Sequence, residues 1–178
     1  IRNGKSVTKK ALYQEGRNKI SDLNNNSIYL SEHHVPMAKS WLEQDVFVMP
    51  YVKGEIATLH FRKLLKKDRD LFLSEFAKFR EIIVMSSEHV PYSEINWRQF
   101  EPWWEKRKAD DPNIDQWKNR AFGSREEQDN IGVILKKGFI DLVSLNCFYT
   151  ERGYIFFDQE FYVDNLPANV ILVRTIDL

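Results

Sequence analysis

Asp141-Leu-Val-Ser-Leu-Asn146-Cys-Phe-Tyr-Thr-Glu-Arg-Gly-Tyr-Ile-Phe-Phe-Asp158-Gln-Glu160 carries the strongest local pattern in the chain. Two short apolar runs, Cys147 to Tyr149 and Tyr154 to Phe157, flank the polar turn Thr150-Glu151-Arg152-Gly153. That pattern predicts a β-hairpin. A turn centred near Arg152 makes the numbers of paired residues add to about 304, as 146 and 158 do. Asn146 and Asp158 are therefore expected side by side at the open end of the hairpin, with Cβ atoms roughly 5 Å apart. Two oxygen-bearing side chains at that separation suit a small hard cation such as Mg²⁺, which takes oxygen ligands at about 2.1 Å. Asp141, five residues before Asn146, leads into the same end.

Asp141, Asn146 and Asp158, in that order and at those spacings, resemble the catalytic core of the protein-kinase-like phosphotransferases. The resemblance implies that Asp141 accepts the proton of an attacking hydroxyl, while Asn146 and Asp158 hold Mg²⁺ on the phosphates of ATP. The Asp158-Gln-Glu160 ending is more similar to the Asp-x-Glu or Asp-x-Asp of small-molecule and sugar kinases than to the Asp-Phe-Gly of protein kinases. Without the resemblance, the same residues describe a hairpin with polar groups at its open end.

Length and composition are compatible with that core. A chain of 178 residues, 43% of them hydrophobic, can bury one domain or two small lobes. Lys and Arg number 26 and Asp and Glu 26, so no global field recruits nucleic acid or an acidic membrane. The single cysteine, Cys147, excludes a disulfide within the chain and points to the cytoplasm. No apolar run approaches the roughly 20 residues of a membrane span. The chain opens on Ile1-Arg2-Asn3-Gly4 and closes on Thr175-Ile-Asp-Leu178, inside expected structure at both ends, which suggests a domain excised from a longer polypeptide.

Ser6 to Leu12 follows an Asn-Gly turn signal and is rich in β-branched residues, a strand pattern. In the resemblance it is the strand that carries the phosphate-gripping lysine. Alternation lets one of two adjacent lysines face the cleft. Lys9 shares a face with Val7 and Ala11 and is favoured, with Lys10 as the alternative, and a solvated edge lysine is the plainer reading. Tyr13 to Leu23 reads as a helix, Asn24 to Ser27 as the turn that ends it, and Ile28-Tyr29-Leu30 as a short strand. Glu15 is the one glutamate in that helix. The resemblance implies a pairing with the strand lysine, whereas helical spacing alone implies a surface pair with Lys19. The His33-His34-Val-Pro36 stretch reads as a loop without metal-ligand spacing.

Met49-Pro50-Tyr51-Val52-Lys53-Gly54-Glu55 carries the second resemblance. It is similar to the apolar-Met-x-Tyr-Val-x-Gly-Glu strand that enters the hinge of kinase-like folds, where Met49 and Tyr51 would border the adenine and the backbone would bond it. Two helices, Ile56 to Lys67 and Arg69 to Met85, are expected next, separated at Lys66-Lys67-Asp68. Phe72, Phe76, Phe79 and Ile83 form a buried stripe on the second. Residues 86–123 read as a helical insertion. Its Trp97, Trp103, Trp104 and Trp117 either stack on the sugar rings of an acceptor or close the insertion against the lobe. Ile131 to Leu135 reads as helix or strand, Lys136-Lys137-Gly138 as a turn, and Asn169 to Ile176 as an apolar run containing Arg174.

The expected fold is α+β, a truncated protein-kinase-like two-lobe arrangement. Residues 1–52 form a partial N-lobe ending at the hinge, and 53–178 form a C-lobe with the insertion at about 86–123 and the hairpin at 141–160. The chain resembles the kinase-like domains linked to methyltransferases or glycosyltransferases in bacterial surface-polysaccharide synthesis. What this implies is transfer of a phosphoryl group from ATP, with Mg²⁺, to a sugar or glycan hydroxyl, with other domains of the same polypeptide as partners. Two departures stand out: Phe139-Ile140 replaces the His or His-Gly that usually precedes the Asp, and no glycine-rich loop precedes Ser6. They motivate the alternative of an inactive kinase-like binding or scaffold module. A third reading is a domain unrelated to kinases.

Overall fold

A computed structural model describes residues 5–14, 16–95, 101–113 and 131–176, except the side chains of residues 101, 103 and 104. Its first sheet has the order β1-β3-β2, all antiparallel, from β1 (Ser6–Lys10), β2 (Trp41–Glu43) and β3 (Val46–Pro50). Helix α1 (Gly16–Glu32) packs on this sheet. Ile20 and Leu23 of α1, Ala38, and Phe47 and Met49 of β3 make a small apolar core, which Val7, Val52, Ile155 and Phe157 extend.

α1 runs nine residues beyond the Leu23 end expected from local composition, through Asn24 to Ser27 and through Ile28-Tyr29-Leu30. Neither a turn nor a strand forms there. Asparagine and serine are weak helix formers because their side chains compete for backbone groups. Here that competition is satisfied inside the helix or across the fold. Ser27 Oγ donates to Leu23 O at 2.8 Å and Ser31 Oγ to Ser27 O at 2.8 Å. Asn26 is buried and donates to the carbonyls of Gln159 and Glu160. Ile20, Leu23, Ser27 and Leu30 are all buried and fall on one helical face at 3, 4 and 3 spacing.

β4 (Glu55–Ile56) leads into α2 (Ala57–Lys67) and α3 (Arg69–Val84), as the pattern predicts. Asp68 serves both helices. Its N–H donates to Leu64 O at 2.7 Å, ending α2, and its carboxylate accepts from Leu71 N at 2.9 Å, starting α3. The expected aromatic stripe is core. Phe79 and Ile83 are fully buried, and Phe72 and Phe76 pack at the edge of the same cluster. Phe79 meets Phe61, Tyr154 and Phe156 with ring centroids 5.3–5.4 Å apart, an arrangement whose loss on truncation to alanine costs about 3–5 kcal/mol.

α4 (Glu101–Lys108) lies in the expected insertion. Trp97 and Trp117, and the side chains of Trp103 and Trp104, lie outside the described residues.

β5 (Ile134–Phe139) pairs antiparallel with β8 (Tyr162–Pro167). Lys136-Lys137-Gly138, expected as a turn, lies inside β5 instead. A Cβ on Gly138 would sit 2.2 Å from Leu166 Cβ, so glycine here permits close strand approach rather than a reversal. β6 (Cys147–Thr150) and β7 (Gly153–Phe156) form the hairpin, which β4 joins in the order β4-β6-β7. Helix α5 (Ala168–Ile176) follows β8. The larger core gathers Leu30, Phe61, Phe79, Leu135, Phe139, Leu142, Cys147, Phe156 and Ile171. The fold is thus mixed α+β with small antiparallel sheets. Among the described residues no helix is long and apolar enough to cross a membrane.

Candidate functional site

The hairpin register differs by one from the sequence expectation. Cys147 pairs with Phe156, Phe148 with Ile155, Tyr149 with Tyr154 and Thr150 with Gly153. Only Glu151 and Arg152 lie in the turn, so partner numbers add to 303, not about 304. Phe157 N donates to Asn146 O at 3.0 Å, which places Phe157, not Asp158, opposite Asn146. Asp158 comes one residue later, at φ 60°. That left-handed conformation is uncommon for a residue with a side chain, although Asp tolerates it better than most. It takes the chain out of the hairpin ladder just where the carboxylate leaves it.

That carboxylate meets β1. Lys9 Nζ lies 2.7 Å from Asp158 Oδ1 and also bonds Glu160 Oε1. Lys9 is therefore the lysine that faces the hairpin, and Lys10 is exposed. The ion triad is part-solvated, with Lys9 and Asp158 side chains 41% and 42% exposed and Glu160 22%. Solvent screening keeps such contacts weak individually, so the arrangement positions groups more than it stabilises the fold.

Beside the triad lies a cavity of about 290 Å³ lined by Val7, Lys9, Phe47, Met49, Phe148 and Phe157. Phe148 and Phe157 stack at 4.6 Å and 24°, making one wall flat and apolar. Met49 is buried on this lining, at the end of β3. Tyr51 is not part of it. Its side chain is exposed and its N–H donates to Lys5 O at 2.9 Å, extending the β1–β3 pairing. A ligand edge at this strand end must use other backbone groups. Glu15 lies outside the described residues, and Lys19, its expected neighbour, sits over the ring of Phe161 at 5.4 Å. The residue of α1 that reaches the 158–160 segment is Asn26, donating to Gln159 O at 3.0 Å and Glu160 O at 3.2 Å.

The loop from Asp141 to Asn146 leads into the open end of the hairpin and is tied to the 157–159 segment by Gln159 and by the Phe157 N–H. Ser144 to Asn146 form a 3₁₀ turn, anchored to α2 by a buried hydrogen bond between Thr58 Oγ1 and Ser144 Oγ at 2.7 Å. Asn146 Nδ2 donates to Asp141 O at 3.1 Å, which orients the amide with its nitrogen toward the loop. The Asp141 carboxylate pairs with Arg174 of α5 at 3.4 Å. Gln159, fully buried, donates from Nε2 to Asp141 O at 3.0 Å and Phe157 O at 2.7 Å. Sequence reasoning gave no role to Gln159, Glu160 or Asn26. Glu160 was visible as the last residue of the quoted motif, but nothing local signals the tertiary partners of the two amides.

Cys147 is fully buried in β6, and burial pushes its thiol far above the ordinary value, so it has no nucleophilic role. Among the described residues no group of three or more His, Cys, Asp or Glu is arranged to hold a metal ion. No protein-family model, curated protein or solved structure matches the chain.

Proposed function

We propose that the chain is an ATP- and Mg²⁺-dependent phosphotransferase of protein-kinase-like, two-lobe design, acting on a sugar or surface-glycan hydroxyl. The observation that carries this reading is the Lys9–Asp158 ion pair at the edge of the apolar cavity. It sets a cation donor on one sheet against a carboxylate on the hairpin, 149 residues away in sequence. The flat wall formed by Phe148 and Phe157 suits a purine, and Lys9 at the cavity edge suits the phosphates. The Asp158 carboxylate suits a hard cation, and the Asn146 nitrogen is committed to Asp141 O, so the amide oxygen is the atom Asn146 has left to offer a ligand.

When bound, Mg²⁺ neutralises charge on the phosphoryl group being transferred. The protein's own part is positioning. Lys9 exchanges its carboxylate partners for phosphate oxygens. Asp141 accepts the proton of the attacking hydroxyl at its carboxylate, and Arg174 holds that carboxylate in place. Genuine Mg-dependent nucleotide binding raises the melting temperature with added Mg-ATP, and Asp158→Ala abolishes the rise. Ligand at about a hundred times its Kd adds about 2.7 kcal/mol, a shift of several degrees. No shift at millimolar Mg-ATP in the wild type sinks this reading.

One observation favours the second reading, an inactive kinase-like binding or scaffold module in a larger methyltransferase or glycosyltransferase. The Asp141 carboxylate is already engaged by Arg174, and the Lys9 ammonium by two acids. Mg-ATP binding without transfer of the γ-phosphoryl to water or to any glycan acceptor selects it.

A further inference from the structure

We propose that Gln159 is a positioning residue that locks the peptide of Asp141 to the hairpin end bearing Asp158, a role that rests on the phosphotransferase reading of those two acids. Three observations converge on it. Its side chain is fully buried, yet it spends both N–H groups on backbone carbonyls from different parts of the site, Asp141 O at 3.0 Å and Phe157 O at 2.7 Å. Asp141 O also receives Asn146 Nδ2 at 3.1 Å, so two side-chain amides clamp one peptide. From the opposite side, Asn26 of α1 donates to the carbonyls of Gln159 and Glu160, fixing the backbone from which the Gln159 side chain departs.

A space-filling role does not explain the choice of residue. Gln159 Oε1 is buried with no partner among the described residues, an uncompensated desolvation that methionine of similar shape avoids. The paired donors are what glutamine supplies and methionine does not. Through them the spacing between the proton-accepting carboxylate and the phosphate-side carboxylate is set by a neutral, pH-independent link. A displacement of the Asp141 loop of about 1 Å would lower turnover by about a hundredfold without disturbing the cavity where the nucleotide base sits.

The test uses the full chain with Gln159→Met, which removes both donors, and Gln159→Glu, which restores one only while the introduced carboxyl is protonated. Hydrogen exchange is followed at the amides of Leu142 and Asn146, whose N–H groups bond Phe139 O and Val143 O inside the loop. Protection there falls about tenfold in Gln159→Met, as expected for loss of a buried hydrogen bond, while α3 keeps its protection. In Gln159→Glu protection becomes pH-dependent, between Gln159→Met and wild type when the carboxyl is protonated and near Gln159→Met when it is ionised. For Mg-ATP turnover, kcat falls in Gln159→Met with KM unchanged. Wild-type protection in Gln159→Met, or a flat pH profile in Gln159→Glu, overturns the proposal. A Gln159→Met variant that fails to fold leaves the Gln159→Glu profile to decide. Failure of the wild type to bind Mg-ATP refutes the parent reading instead, and the exchange data still decide what Gln159 does.

Discussion

Lys9→Met tests the candidate site most directly, because one ammonium holds two acids together. Removing it leaves Asp158 and Glu160 as neighbouring carboxylates without their shared cation. Their side chains remain 42% and 22% exposed, so water replaces much of the lost interaction. Exposed ion pairs are worth about 0.2–1 kcal/mol each, and two pairs sharing one nitrogen are not additive. The expected loss is therefore about 1 kcal/mol, or about 2–4 °C in Tm for a chain of this size. Lys10→Met, at the exposed neighbouring position, leaves Tm within about 1 °C. Raising NaCl to about 1 M, where the screening length is about 3 Å, shrinks the difference between Lys9→Met and wild type. Mg²⁺ without nucleotide supplies the missing charge, so millimolar Mg²⁺ raises the Tm of Lys9→Met and not that of wild type. The assay is a thermal melt of the three proteins across salt and Mg²⁺. Equal Tm for Lys9→Met and Lys10→Met, or identical Mg²⁺ responses in Lys9→Met and wild type, refutes the triad.

Tyr154→Phe removes the hydroxyl that donates to Glu75 Oε2 at 3.1 Å, and a hydrogen bond to a buried carboxylate is worth about 1.5–3 kcal/mol; an unchanged urea midpoint would rule out that bond in solution. Gly138→Ala drives a Cβ to 2.2 Å from Leu166 Cβ and costs about 1–3 kcal/mol or more. Adding Leu166→Ala does not restore stability, because it relieves the contacts at Cγ and Cδ2 but leaves the closest one, at the β-carbon. Burial holds His60 below its ordinary 6.5, Lys63 adds to this, and Glu75 and Glu55 oppose it. The folded state therefore resists a proton that the unfolded chain accepts near 6.5, so stability present above that pH is lost as pH falls through the depressed value. Replacing His60, which stacks on Tyr149 at 3.6 Å, with Phe flattens the Tm profile just below pH 6.5. Burial alone would raise the Glu75 carboxyl, but hydrogen bonds from Lys78 and Tyr154 outweigh it and leave it lowered. Its contribution is present above about 4.5 and disappears as pH falls further, so a second acid step persists in His60→Phe.

Elements stabilised by their own periodicity were legible before any tertiary contact was known. α2 and α3 form where the apolar spacing is helical, and Asp68 divides them, its side chain capping α3 while its N–H closes α2. The apolar runs flanking Thr150 to Gly153 form the expected hairpin, and β3 ends at Pro50, within the Met49–Glu55 motif. Strand alternation required that one of Lys9 and Lys10 turn inward, with Lys9 favoured for sharing a face with Val7 and Ala11, and in the structure Lys9 is the one bonded to Asp158.

The failures have a common physical origin, which is polarity or freedom satisfied from a distance. Asn24 to Ser27 looks like a turn because amides and hydroxyls disfavour helix locally, yet Asn26 bonds carbonyls more than 130 residues away and Ser27 bonds its own helix. Lys136 to Gly138 looks like a turn until Leu166 is laid against the missing Cβ. The hairpin register depended on whether two or three residues occupy the turn, and a slip of one moved Asp158 out of line with Asn146. Local pattern was enough to place Lys9 and Met49 on strands and Asn146 and Asp158 at the open end of a hairpin. It took the folded chain to show that Lys9 bonds Asp158 and Glu160, that Arg174 pairs with Asp141, and that Gln159 donates to the carbonyls of Asp141 and Phe157. The ion pairs and the Gln159–Asp141 bond join groups from separate elements, and no local pattern of residues encodes which carbonyl or carboxylate of another element will stand within bonding distance.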